Sequence, residues 1–263
     1  SLHHGETHYI ANNGDRQLLE KISAFEKEHN GLFYSADEII VTAGATEGLF
    51  VSLFGILNPG DEVIIPTPAF GLYEQIVLMC RGVPVLMDTS QDGFQIRKQK
   101  LVQFVSDKTK AIIINTPNNP TGCIYDEESL AAVVDVIDGK NMFVICDDVY
   151  RQLIYTDDYH SFAERSEYRD QIIVVQSYSK PYAMTGWRIG FIAAPEWVVK
   201  GCNKLQGQYT SGPCSVSQKA AEAAYTGSQE CVEQMRQAFE RRRDLIVRLA
   251  REIPGLEVNN PQG

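Results

Sequence analysis

The sequence predicts a three-layer α/β/α fold around a mostly parallel sheet of about seven strands, and three observations carry that expectation. Short β-rich runs recur at Ile39–Thr42, Glu62–Ile65, Val83–Met87, Ala111–Asn115, Met142–Cys146, Ile172–Gln176 and Ile189–Ala193. Stretches with helical spacing separate most of them, the alternation that gives parallel strands joined by helices. The runs are near-continuously apolar, as strands covered on both faces are. At 263 residues the chain is long enough for one substantial domain and too short to assume two complete ones.

Along the chain, residues 15 to 29 place Leu18, Leu19, Ile22 and Phe25 on one helical face, and Asn30-Gly31 supplies a stop. The seven strand runs follow. Residues Gln229 to Glu252 read as one long charged helix whose apolar positions are Met235, Phe239, Leu245, Ile246 and Leu249, ended by Ile253-Pro254-Gly255. Leu256-Glu257-Val258 then reads as the first strand of a further unit. We therefore expect residues 1–228 to form a large domain and 229–263 a connecting helix and the start of a small C-terminal domain. Because the chain opens at Ser1 and stops at Gly263, we read it as a piece of a longer protein. His3 and His4 are too few to assign to anything.

The balance of charge is −10 with a pI near 5.0, which leaves no sizeable basic face for a nucleic-acid backbone. No apolar stretch reaches the length of a membrane span, and nothing resembles an export leader. The six cysteines lie far apart, and Cys146 falls within a buried-type run. That usage fits reduced thiols in the cytoplasm, with neither a disulfide framework nor a metal site.

In a sheet of this kind ligands sit beyond the carboxyl ends of the strands, and four such ends are distinctive. In Val41-Thr42-Ala43-Gly44-Ala45-Thr46-Glu47-Gly48 small residues lead into a helix, whose first N–H groups would face an anion beside the Thr46 hydroxyl. An ordinary turn capped by Thr46 explains the same residues. Pro66-Thr67-Pro68-Ala69-Phe70 sets an aromatic ring at the next helix, where a planar ligand could stack on Phe70, although a phenylalanine taken singly is more often a core residue. Asn115-Thr116-Pro117-Asn118-Asn119-Pro120-Thr121-Gly122 fixes the Asn119 amide between two prolines, suited to a ligand oxygen. Finally, Phe143-Val144-Ile145-Cys146 runs into Asp147-Asp148-Val149-Tyr150, placing carboxylates at the end of a buried strand; solvated loop charges are the competing explanation.

The decisive stretch is Gln176-Ser177-Tyr178-Ser179-Lys180-Pro181-Tyr182-Ala183-Met184-Thr185-Gly186-Trp187-Arg188-Ile189-Gly190. With the Ser-x-Ser-Lys and Gly-Trp-Arg-x-Gly elements in this order, the chain resembles the class I, aspartate aminotransferase-like, pyridoxal-phosphate enzymes. The resemblance runs from about Tyr9 to Gly190, and the long helix matches the family's link to its small domain. It implies the large domain of a fold-type-I enzyme and pyridoxal 5′-phosphate as cofactor. Lys180 would carry that cofactor as a Schiff base and then move the proton between the substrate α-carbon and the cofactor. Asp147 would keep the ring nitrogen protonated, making the ring an electron sink. Asn119 and Tyr150 would bond the phenolic oxygen, and Phe70 would stack on the ring. Gly44, Ala45, Thr46, Ser177 and Arg188 would form the phosphate cup, with Arg188 as the charged contact. Tyr9 resembles a tyrosine that reaches the phosphate of a neighbouring subunit, which implies a homodimer.

One departure stands out: the family commonly has Asp-Glu where this chain has Asp147-Asp148, at a position that is not the ring partner. The resemblance implies that the arginine that binds the substrate α-carboxylate comes from the family's C-terminal domain, which we expect to lie outside residues 1–263. The implied activity is transfer of an amino group from an L-amino acid to a 2-oxo acid. Two alternatives stay open. A carbon–sulfur β-lyase of the same fold would use the same Lys180 and Asp147, but the lyases similar to this family tend to have His at the position of Tyr150. A non-catalytic ligand-sensing domain would carry a DNA-binding segment ahead of it, and no such pattern is visible. No residue selects a particular amino acid.

Overall fold

The computed structural model describes residues 5–263, so His3 and His4 lie outside it. Its centre is a seven-stranded sheet in the order β1-β7-β6-β5-β4-β2-β3. The strands are β1 (Ile39–Thr42), β2 (Glu62–Thr67), β3 (Val83–Asp88), β4 (Thr109–Asn115), β5 (Phe143–Asp147), β6 (Ile172–Ser177) and β7 (Gly190–Ala193). Strands β3, β2, β4, β5 and β6 run parallel. Strand β7 is antiparallel to both β6 and β1. The reversal follows from the connection: no α-helix lies between β6 and β7, only a 3-10 turn at Thr185–Trp187, so the chain folds back without a crossover.

The apolar strand runs divide their side chains between two cores, which is why they do not alternate with polar residues. Ile112, Ile114, Val144, Cys146, Ile172 and Val174 face one core together with Leu18, Leu19 and Ile22 of α1 (Arg16–Asn30) and Val133 of α5 (Glu127–Ile137). Ala111, Ile113, Phe143, Ile145, Ile173 and Val175 face the other, under α2 (Ala45–Ile56), α3 (Leu72–Met79) and α6 (Glu196–Tyr209). Helices α4 (Lys98–Leu101), α7 (Ser215–Thr226) and α8 (Glu230–Arg251) complete the set.

The predicted first helix is α1. Asp15 caps it by accepting from the Gln17 N–H at 2.8 Å, and Gly31 at φ 68° ends it in the left-handed conformation. The long helix is α8, with the sequence-predicted bounds trimmed by a residue at each end. Leu256–Val258, expected as a strand, forms none. The chain beyond it binds loops instead: Gln262 N–H donates to Gly122 O (2.6 Å), Gln262 O accepts from Tyr155 N–H (2.7 Å), and the Asn259 amide donates to Thr121 O (2.7 Å). With its backbone engaged there, the segment takes no place in the sheet. No described helix is long and apolar enough to cross a membrane.

Candidate active site

The carboxyl ends of β4, β5 and β6 and the start of α2 open onto one cavity of about 240 Å³. Parallel register sets Asn115 beside Asp147 at the ends of β4 and β5. The Asn115 amide donates to the Asp147 carbonyl (2.8 Å), and its oxygen accepts from Asn119 N–H (2.8 Å). The last residue of β4 thus anchors the polar loop that carries Asn119. The Asn119 amide in turn donates to the Tyr150 hydroxyl (3.2 Å), so the two residues expected to act together do meet.

Asp147 and Asp148 are both buried, which removes the solvated-charge explanation for this pair. They are used differently. Asp148 faces inward, accepting from the Ser161 hydroxyl (2.6 Å) and lying 3.6 Å from Arg151. Asp147 lines the cavity; its Oδ2 accepts from the Tyr73 hydroxyl (2.6 Å), while its Oδ1 is buried with no partner. Burial pushes the Asp147 carboxyl up to about 6, against the Tyr73 hydrogen bond that favours the ionised form. An unpaired buried carboxylate oxygen is costly unless a ligand supplies a donor.

Lys180 stands exposed at the cavity wall, its ammonium 5.7 Å from the centre of the Tyr150 ring. Burial, with Asp147 close by, raises the Tyr150 phenol, while the Asn119 amide opposes that rise. The Ser177 hydroxyl at the end of β6 donates to Ile189 O (3.3 Å) and accepts from Ser179 N–H (3.1 Å), fixing the turn that presents Lys180.

Arg188 sits at the mouth with its guanidinium held by Thr185 O (2.9 Å) and Ala43 O (3.4 Å). A side chain at Gly44 would put its Cβ 2.6 Å from Arg188 Nη2, and Gly44 has φ 85°. Glycine is thus required twice over, for the backbone and for the approach of Arg188 to the start of α2. Ala45 and Thr46 line the cavity beside them. Thr46 does not cap α2: Gly44 occupies that place without a side-chain bond, and the Glu47 carboxylate takes the Ala43 N–H. Phe70 is part-exposed in the same cavity, edge-on to Tyr73 at 5.7 Å and 83°, and is not a core residue.

Tyr9 is 99% exposed and lies with Gly212–Ser215 around a separate depression, away from Lys180. Two residues of the site were not singled out by sequence: Tyr73, in the first turn of α3 three positions after Phe70, and Asn115, which the loop motif contained without a role. Helical spacing from Phe70 was the available signal for the first.

The cavity joins an orphaned buried carboxylate, an exposed amine, an aromatic face, and a helix start with hydroxyls and a guanidinium. Together these groups fit a phosphorylated, protonatable aromatic aldehyde, the chemistry of the pyridoxal-phosphate enzymes. The family model for aminotransferase class I and II matches residues 1–263. An aspartate aminotransferase of Geobacillus stearothermophilus is 41% identical over 266 residues, covering all of this chain and 68% of that protein. A bifunctional aspartate aminotransferase and glutamate/aspartate-prephenate aminotransferase of Petunia hybrida is 36% identical, with 56% of its length covered. Among solved structures, the aspartate aminotransferase of Rhizobium meliloti superposes with a TM-score of 0.96 at 36% identity, over 100% of this chain and 66% of that one. An aromatic aminotransferase of Pyrococcus horikoshii gives 0.95 at 37%, over 100% and 71%. The chain belongs to the class I and II aminotransferase family, whose aspartate aminotransferases depend on pyridoxal phosphate. It spans 56 to 68% of the length of these two curated relatives.

Proposed function

We propose that the protein to which this chain belongs moves an amino group from an L-amino acid to a 2-oxo acid, and that the cavity at Lys180 is where it happens. The observation that carries this reading is the unpartnered Asp147 Oδ1 lining the same cavity as the Lys180 amine. Pyridoxal 5′-phosphate supplies an aldehyde for amines and a protonated ring that takes up an electron pair released at the substrate α-carbon.

The chain's own groups do the rest. Lys180 would hold the cofactor covalently, and its amine, once free, would take the proton from the substrate α-carbon and deliver it to the cofactor carbon that had carried the aldehyde. Asp147 Oδ1 accepts from the ring N–H and keeps that nitrogen charged. Asn119 and Tyr150, already in contact, donate to the phenolic oxygen. Phe70 packs on the ring. Gly44, Ala45 and Thr46 at the start of α2, with Ser177 and Arg188, hold the phosphate. A phenol at Tyr150, bonded to Asn119, supports transfer over β-elimination.

Residues 1–228 are the cofactor domain in this reading, and residues 229–263 lead into a small domain. The working unit is a homodimer in which Tyr9 reaches the neighbour's phosphate site, and six free thiols accord with a reducing cytoplasm. The aspartate aminotransferases among the relatives make aspartate with 2-oxoglutarate the first pair to try. The full-length protein should then form glutamate only when both are present. Pyruvate released from cystathionine without any oxo acid would overturn the transferase reading.

A further inference from the structure

The hydrogen bond from Tyr73 to Asp147 crosses from α3 to the end of β5 in a buried setting, 74 residues apart in sequence. Tyr73 is 2% exposed and Asp147 4%, so neither group can exchange this partner for water. A carboxylate in such a place can turn about its Cβ–Cγ bond, and one strong donor on Oδ2 sets that angle. We propose that Tyr73 is a positioning residue for the cofactor: by holding Asp147 Oδ2, it reserves Oδ1 as the acceptor for the ring N–H.

Three further observations support the assignment. Oδ1 is the oxygen left without a partner, so the division of labour between the two oxygens is already made in the chain alone. Phe70 and Tyr73 are three residues apart, Tyr73 N–H donates to Phe70 O (3.0 Å), and their rings meet edge-on. One turn of chain therefore sets both the ring-stacking face and the carboxylate's orientation, and the two cannot drift independently. Lastly, burial and the Asp147 charge raise the Tyr73 phenol well above its ordinary value, so it stays a donor throughout the working pH range. The other titratable groups near this pair are Tyr150 and Asp148 beyond β5, Cys146 within it, Tyr125 ahead of α5, and Lys180 on the cavity wall.

The inference rests on the cofactor site proposed above, and the test separates the two. Holoenzyme loaded with pyridoxal phosphate carrying ¹⁵N in the ring is titrated by NMR, and cofactor affinity is measured for wild type, Tyr73→Phe, Asp147→Asn and the double variant. The expected result is that Tyr73→Phe binds cofactor about tenfold more weakly, a loss of about 1.4 kcal/mol, and loses the ring-nitrogen proton at lower pH than wild type. In the Asp147→Asn background the same change should have little further effect, because Tyr73 acts through the carboxylate. An unchanged nitrogen titration in Tyr73→Phe would overturn the proposal. So would an equal loss of affinity in both backgrounds, which would mark Tyr73 as structural only. If wild type shows no protonated ring nitrogen, the cofactor site itself fails, and this inference with it.

Discussion

At the scale of single residues, the site is built against the stability of the empty chain. Asp147 has a folded value of about 6 against an ordinary 3.8, raised by burial. Between those values the folded chain holds a proton that the unfolded chain has lost, so stability falls as pH rises through that window and levels off above it. Asp147→Asn should therefore stabilise the cofactor-free chain at pH 7.5 by on the order of 2 kcal/mol and change little at pH 4. Urea denaturation at the two pH values reads this directly, and destabilisation at pH 7.5 would contradict it. The same substitution should weaken cofactor binding, the trade expected of a group retained for function. Asn119→Ala removes a contact to Tyr150 as well as a ligand donor. It should lower cofactor affinity severalfold, about 1 kcal/mol, in a fluorescence titration.

At the scale of elements, two glycines hold the phosphate side together. A Cβ on Gly190, the first residue of β7, would lie 2.6 Å from Gln176 O and 3.0 Å from Ala45 N, both backbone atoms that cannot step aside. Gly190→Ala should destabilise the fold by about 2 kcal/mol or more, read as a lower melting temperature. Gly44→Ala strains the backbone at φ 85° and also presses on the end of the Arg188 side chain, so it should lower phosphate-dependent affinity as well as stability, the former seen by comparing pyridoxal with its phosphate. Most of this layer was legible in the sequence. Periodicity and apolar runs locate α1, α8 and all seven strands; the central strands β4, β5 and β6 pack two cores and must be apolar throughout, whereas the edge strand β3 buries only Met87 fully. The reversed direction of β7 was not legible, because direction depends on the connection and the Ser177–Gly190 stretch looks like any strand-to-strand link. Leu256–Val258 was misjudged because local β-propensity does not reveal that its neighbours bind the Asn118–Gly122 loop. Lys180, Asp147, Asn119 and Arg188 stood out through their motif, whereas Tyr73 reads as one more aromatic until the fold brings it to Asp147.

At the scale of the whole molecule, the proposed homodimer links Tyr9 to a site it does not touch within its own chain. Sedimentation of the full-length protein should give a dimer, and Tyr9→Phe should weaken cofactor binding without altering the melting temperature of the cofactor-free protein. Monomeric holoenzyme with full affinity would remove Tyr9 from the site. The central claim, that Lys180 is the cofactor lysine, is tested most directly by borohydride reduction of the protein with pyridoxal phosphate, followed by peptide mapping. The account predicts a single pyridoxyl adduct on Lys180, absent from Lys180→Ala. Adducts spread over exposed lysines such as Lys200, with none on Lys180, would contradict it.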